Sequence, residues 1–304
     1  MYSYSVADWI MIFFIYGFFG WIFESTYVSI RKREFVNRGF LKGPFLPIYA
    51  FGAIMMLFAS IPFGDNPIAI YFAGMVAATL WEFIVGISME GIFKVKYWDY
   101  SDQKFQFKGV ICLSSSIAWG FLTLFLTEII HKPVEKLVFL IPNVIEYGLV
   151  LVFAIIFVAD AILSVRVALD LKQMLEKMTV MRKELEELRE QLLEHASERK
   201  DMILKAASER RGKLEEILEE HWEELLENAP EKLVLYKKFK GKMQEYREYS
   251  KGYGLLKAQL LKAHPSASSA KYKEALKDVV EAIEEGIRIK KEKIKQKIEK
   301  KNED

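Results

Sequence analysis

Five long apolar stretches constrain this chain more than anything else in it. About 20 apolar residues are needed to cross roughly 30 Å of hydrocarbon as a helix, and the segments at 7–29, 46–63, 67–93, 110–130 and 144–165 come close to that length. Lipid offers no hydrogen-bond partners, so each crossing must satisfy its own backbone as a helix. The second segment starts irregularly, at Gly43-Pro44 and Pro47, which leaves a re-entrant start open where protein covers it. The expected fold is all-α and polytopic: a five-helix transmembrane domain over 1–165 and a charged helical extension over 166–304. Residues 1–165 hold 11 Lys+Arg and 12 Asp+Glu, against 32 and 29 in the remainder, so the two parts face different solvents.

The loops predict an orientation. Arg31, Lys32, Arg33, Arg38 and Lys42 crowd the first loop, and Lys94, Lys96, Lys104 and Lys108 the third. The second has no basic residue, and the fourth has only Lys132 and Lys136 against Glu135. Basic loops stay in the cytoplasm, which places the N-terminus outside and everything after Arg166 inside. Met1 to Asp8 carries no Lys or Arg and no small-residue cleavage site follows it, so the first span is expected to remain in the mature protein.

Polar and small residues make these spans unequal. Gly74, Ala78, Glu82, Gly86 and Glu90 recur at four-residue steps and form one stripe on the third helix. Small residues admit a neighbouring backbone, and a mid-bilayer carboxylate such as Glu82 must face protein or water, or be protonated. Gly17, Gly20 and Glu24 form a similar face on the first span, and Cys112, Ser116 and Gly120 on the fourth. These three faces are expected to converge. No Lys or Arg lies within a span, so Arg38 and Lys42 reach the acids only near the cytoplasmic surface. Arg38 between Glu24 and Glu90 is a reasonable bridge, either as a structural clamp or as part of a functional polar cavity.

Two loop motifs stand out. In Asn37-Arg38-Gly39-Phe40-Leu41-Lys42-Gly43-Pro44, glycine and proline define a tight path whose N–H groups, beside Arg38 and Lys42, could hold an anion; a plain turn is the favoured reading. In Trp98-Asp99-Tyr100-Ser101, an Asx- or ST-type turn between two interfacial aromatics is favoured over catalysis. The single cysteine, Cys112, and four scattered His suggest no metal site, and nothing calls for a cofactor.

In this order, Gly20-Trp21-Ile22-Phe23-Glu24, the 37–44 motif with Pro47-Ile48-Tyr49, Glu82, Glu90, Trp98 to Ser101, Gly109 to Leu113 and Trp119-Gly120 resemble the bacterial family catalogued as Putative ABC-transporter type IV, or CmpB-like. The resemblance covers roughly residues 10–165 and implies a permease of the bacterial cell membrane. Ala50, Gln106 and Val110 stand where the family pattern has glycine, asparagine and arginine.

From Leu171 the residues Met174, Met178, Met181, Leu185, Leu188 and Leu192 keep three-four spacing, which predicts a coiled coil over about 169–195. The pattern decays at His195, Arg199 and Met202, an amphipathic stretch follows over Leu214 to Leu226 with Trp222, and two further helices are expected at 231–263 and 269–300. His264-Pro265-Ser266-Ala267-Ser268-Ser269 reads as a helix stop followed by a new cap. The aromatic-basic run from Tyr236 to Tyr249 and the lysine-rich tail from Lys290 to Lys301 could touch RNA or anionic lipid, but both interleave acids and apolar residues, which favours a packed helix with a solvated face.

Three functions fit these materials. A transporter component would use Glu82 within a polar path and, since the chain has no Gly-x4-Gly-Lys-Ser/Thr loop, would need a separate ATPase on its cytoplasmic helices. A membrane-anchored scaffold would act through the coiled coil, with a second copy pairing through 171–192 or another protein docking there. A membrane enzyme would use Glu24, Glu90 or Asp99 on lipid at the interface, although no nucleophile-base pair is visible. Transport is favoured.

Overall fold

The computed structural model describes residues 4–195 and 230–303. Helix α1 spans Val6–Lys32 and opens on a capping box, in which Asp8 N–H donates to Ser5 Oγ and Ser5 N–H to the Asp8 carboxylate. It stops at Arg33, whose backbone is left-handed. Helix α2, Pro47–Ser60, has proline in its first turn, where no N–H is missed, and ends in a 3-10 turn over Ile61–Phe63. Helix α3, Pro67–Phe93, is capped by Asn66, which accepts from Ala69 N–H. Helix α4, Leu113–Phe125, runs through a π-turn at Leu126–Ile130 into α5, His131–Phe139. Helix α6 covers Asn143–His195.

Among the described residues four helices are long and apolar enough to cross a membrane: Val6–Lys32, Pro67–Phe93, Leu113–Phe139 and Asn143–Leu192. Pro47–Phe63 is shorter; its 17 residues reach only about 25 Å at about 1.5 Å per residue. Large apolar side chains such as Phe72, Val76, Leu80, Phe121, Leu151 and Ile155 are exposed on the outer faces, as a lipid-facing surface requires. The fourth stretch extends beyond its expected end at 130, because the π-turn carries the helix through Lys132 and Lys136 to Phe139.

The chain divides into two compact units. The first comprises Met1–Lys172 together with Leu255–Lys273. In it α2 packs on both α1 and α3, and α3 packs on α4. Met11, Ile12 and Tyr16 of α1, Met56 and Leu57 of α2, Ala78 of α3 and Val134 and Val138 of α5 form one core. The small-residue faces of α3 and α4 meet as expected, whereas that of α1 packs on α2 instead of joining them. Gly17 and Gly20 of α1 admit Phe45 and Tyr49, at the start of α2, whereas Gly74 of α3 sits on Thr123 and Gly120 of α4 sits on Tyr71. The short, small-residue α2, with Ala50 and Ala53 buried, fits between them.

At the end of the bundle that carries the basic loops, a hairpin pairs β1, Gln106–Phe107, with β2, Ile111–Cys112. Its turn places Lys108 and Gly109 in the left-handed region and Val110 N–H on Phe107 O, as in a type I′ turn. Helix α8, Gly254–Ala263, from Leu255 onward, and the segment that follows it also belong to this unit.

The second unit contains the rest of α6, helix α7 over Pro230–Lys251 and helix α9 over Lys273–Glu303 from Glu274 onward. The stripe Met174, Met178, Met181, Leu185, Leu188 and Leu192 is buried within this unit. Arg182 pairs with Asp278 and Glu274 of α9, and Lys242 of α7 with Glu184. Desolvation lowers and the nearby Asp278 and Glu274 carboxylates raise the Arg182 pKa, with the net direction upward. The single helix expected over 231–263 breaks at the Gly252 to Gly254 turn, where Gly254 has φ +66°. Arg199, Met202 and the stretch from Leu214 to Leu226 lie outside the described residues.

Candidate functional site

Glu82 is buried in α3, 4% exposed, and among the described residues its carboxylate accepts hydrogen bonds from side chains alone. Trp119 Nε1 donates to Oε2 at 2.9 Å and Ser115 Oγ to the same oxygen at 3.4 Å, both from α4. Tyr100 of the third loop donates to Oε1 at 3.2 Å. Among the described residues, three neutral donors and no cation hold this carboxylate. Tyr49, one ring away from Trp119 at 6.1 Å, donates to Glu24 Oε1 at 2.7 Å. Tyr49 and Tyr100 both lie within electrostatic reach of Glu24 and Glu82. The two acids of α1 and α3 thus meet across a pair of tyrosines rather than through packed glycines.

Arg38 contacts Glu24 at 3.5 Å and donates to the Ala263 carbonyl at the end of α8. The expected bridge to Glu90 is not made: Glu90 sits half-buried at the last turn of α3, where its carbonyl accepts from Lys94 N–H. The long Arg38 side chain is committed to α1 and α8 instead. Ser116 Oγ donates to Cys112 O, so it serves the start of α4 rather than the acids. Ala78 lies in the core, and Gly86 makes room for Val110 and Trp98.

The 37–44 loop is held by side chains. Asn37 accepts from Trp21 Nε1 and Gly39 N–H and donates to Lys42 O. Lys42 and Gly43 N–H both donate to Asp160 of α6, at 3.1 and 2.8 Å, while the Lys42 side chain and Pro44 are exposed. The Lys42 and Gly43 N–H groups are therefore occupied by the chain's own Asp160 carboxylate.

The motif at 98–101 forms an Asx-type turn, with Ser101 N–H and Oγ donating to Asp99 Oδ1, and Trp98 Nε1 donating to Val110 O. Gly109 is confined by this turn, since a Cβ there would lie 2.5 Å from Asp99. Partial burial alone would raise the Asp99 carboxyl, but hydrogen bonds from Ser101 and Ser268, with Lys96 nearby, hold it below the usual range. Burial, then Glu82, pushes the Tyr100 phenol upward, so it remains a donor.

Residues 263–272 close over this end of the unit. Lys96 and Ser268 exchange both backbone hydrogen bonds, at 2.8 and 3.0 Å, Ser268 Oγ donates to Asp99 at 2.5 Å, and Ser269 Oγ donates to Lys94 O at 2.6 Å. Ser269 also accepts from Tyr272 N–H just before α9, as a capping serine does. His264 is buried with its ring 4.9 Å from Tyr97, and its Nδ1–H donates to Leu260 O at 2.9 Å. Burial first, and Arg38 second, push its pKa down to about 3, so it is neutral. We refer to this segment as the latch.

Sequence reasoning passed over Asp160 and Ser115, and read His264 and Ser268 only as part of a helix stop and a new cap. Tyr49 and Trp119 were visible only as part of a family pattern. Asp160 carried a signal, being an acid within an apolar stretch. Ser268, by contrast, meets Asp99 across about 170 residues of chain, and nothing local announces it. Among the described residues no three His, Cys, Asp or Glu gather at metal-binding spacing.

No curated protein and no solved structure matches the chain. A family model described as Putative ABC-transporter type IV matches residues 11–165, which contain all of α1 to α5 except the first turn of α1, with Glu24, Arg38, Glu82 and Asp99. That match spans just over half of the 304 residues, and the chain belongs to this family.

Proposed function

We propose that this protein is a permease-like transport component with a polar intramembrane site around Glu82 and no ATPase of its own. The observation that carries this reading is Glu82 itself: a carboxylate buried within a membrane-length apolar helix and held, among the described residues, by neutral donors from α4 and the third loop. A carboxylate at such depth is costly to maintain unless it does something there. Arg38 and Glu24 lie between this site and the basic end, which the excess of lysine and arginine assigns to the cytoplasm. In the same reading the N-terminus is outside, α2 completes five crossings, and the second unit receives a separate ATPase. The latch then represents a closed cytoplasmic mouth, and transport requires it to open.

The test compares wild type with Glu82→Gln in proteoliposomes, reconstituted with an ATPase captured by crosslinking to the second unit. Gln keeps the shape, since its oxygen can accept from Trp119 and its amide can donate to the Tyr100 hydroxyl. The variant is expected to insert and melt like wild type while ATP-dependent uptake of labelled solutes falls at least about tenfold, the change that about 1.4 kcal/mol produces. Equal uptake in the two proteins refutes the role of Glu82.

A further inference from the structure

A cavity of about 610 Å³ opens beside the latch, lined by Phe23, Glu24, Tyr27, Val28, Arg31, Lys32 and Arg38 with Pro265 and Ser266. Two rows of α1 run into it. Phe23, Tyr27 and Arg31 are spaced four apart, as are Glu24, Val28 and Lys32, so each row occupies one side of the helix. The first passes from two aromatics to a cation. Phe23 and Tyr27 are 65% and 59% exposed, which leaves an aromatic surface leading up to the charged rim.

The charges in the cavity do not cancel. Glu24 is already engaged by Tyr49 and Arg38, and Arg38 also serves the Ala263 carbonyl. Arg31 and Lys32, in the last turn of α1, are exposed, and neither is paired with a carboxylate among the described residues. Two cations therefore remain for a ligand at the point where the helix leaves its apolar stretch, above an apolar wall about two turns tall.

We infer that this cavity binds one acidic phospholipid, with its phosphate against Arg31 and Lys32 and an acyl chain along Phe23, Tyr27 and Val28. A soluble phosphate would use the cations but not the aromatic rows. A zwitterionic lipid would use the rows but gain little from an unbalanced pair of cations. The ligand that uses both carries a net negative headgroup on a hydrocarbon chain. Because Pro265 and Ser266 form one wall, a bound lipid also touches the latch.

The experiment uses the full chain in phosphatidylcholine nanodiscs, with pyrene-labelled phosphatidylglycerol as the probe and energy transfer from tryptophan as the readout. Saturable binding of one probe per chain is expected, undiminished by excess inorganic phosphate. In the double variant Arg31→Gln/Lys32→Gln, affinity should fall on the order of 30-fold, two cations at the strength typical of the membrane surface. Phe23→Ala/Tyr27→Ala should weaken binding as well, while Lys132→Gln/Lys136→Gln, at the other end of the bundle, should leave it unchanged. All four sites of the first two variants are exposed, so thermal unfolding should match wild type. The inference is overturned if pyrene-labelled phosphatidylcholine binds equally well, if the Arg31/Lys32 variant keeps wild-type affinity, if the Lys132/Lys136 variant loses as much, or if inorganic phosphate displaces the lipid.

Discussion

Acidification should release the latch, because His264 can enter it only uncharged. The docked imidazole has its pKa pushed down to about 3, first by burial and then by Arg38, against 6.5 for an ordinary histidine. Between those two values a released segment binds a proton that the docked one does not, so docking is strongest above pH 6.5 and weakens as the pH falls. At pH 5 the difference amounts to about 2 kcal/mol, from roughly 1.5 pH units at about 1.36 kcal/mol each, and the released fraction rises about 30-fold. Asp99 adds to the slope only at lower pH, since its carboxyl lies below the ordinary 3.8. Arg38 stays charged throughout. Histidine-labelled protein observed by NMR at neutral pH and at pH 5 provides the assay: docked His264 should show no titration near 6.5, and a released population should grow on acidification. His264→Phe, which retains an aromatic ring for Tyr97 but cannot ionise, should remove the pH dependence. A docked His264 signal that titrates near 6.5, or an unchanged slope in the Phe variant, refutes the reasoning.

Three further perturbations probe the rest of the fold. A Cβ on Gly74 would lie 2.1 Å from Thr123 Oγ1, about 1.3 Å inside the 3.4 Å at which ordinary contact begins. Gly74→Ala should therefore destabilise by about 1–3 kcal/mol in equilibrium unfolding from mixed micelles, and adding Thr123→Ala should recover only a part of the loss, because the Thr123 Cβ that alanine keeps also lies inside contact distance. Asp160→Ala removes the acceptor shared by Lys42 and Gly43 N–H; it should cost roughly 1–3 kcal/mol and open the chain to trypsin after Lys42, which wild type should resist. In the second unit, Arg182→Ala leaves Asp278, among the described residues, with Tyr246 as its one donor, and calorimetry should show a loss of about 1–2 kcal/mol, discounted for partial exposure.

Much of the helical framework was legible because lipid leaves a chain few choices. The starts of α2 and α3 follow from Pro47 and from Asn66-Pro67, and their lengths from uninterrupted apolar runs. The hairpin at Gln106 to Cys112 was not legible, since two-residue strands are too short for an alternating pattern, and Lys108-Gly109 is a weaker turn signal than Asn-Gly. The order of packing was hidden for a different reason. A glycine stripe says that something approaches closely without saying what, and here a phenylalanine, two tyrosines, a threonine and a valine fill the five sites. The stripe of α6 showed a need for partners, and α7 and α9 of the same unit supply charged contacts alongside it. The role of Arg38 was half legible: Glu24 is close in sequence, but the Ala263 carbonyl is 225 residues away.

That distance gives the latch a place in time as well as in space. Membrane segments fold as they emerge, and a ribosome adds roughly 5–20 residues per second. Helices α1 to α5 are therefore complete while Leu255 to Lys273, which belong to the same compact unit, have not yet been made. For on the order of ten seconds, every newly synthesised molecule carries the loops around Arg38, Lys96 and Asp99 uncovered. Docking of the latch is the last step in building the first unit, and a chain cut at Arg166 never reaches it.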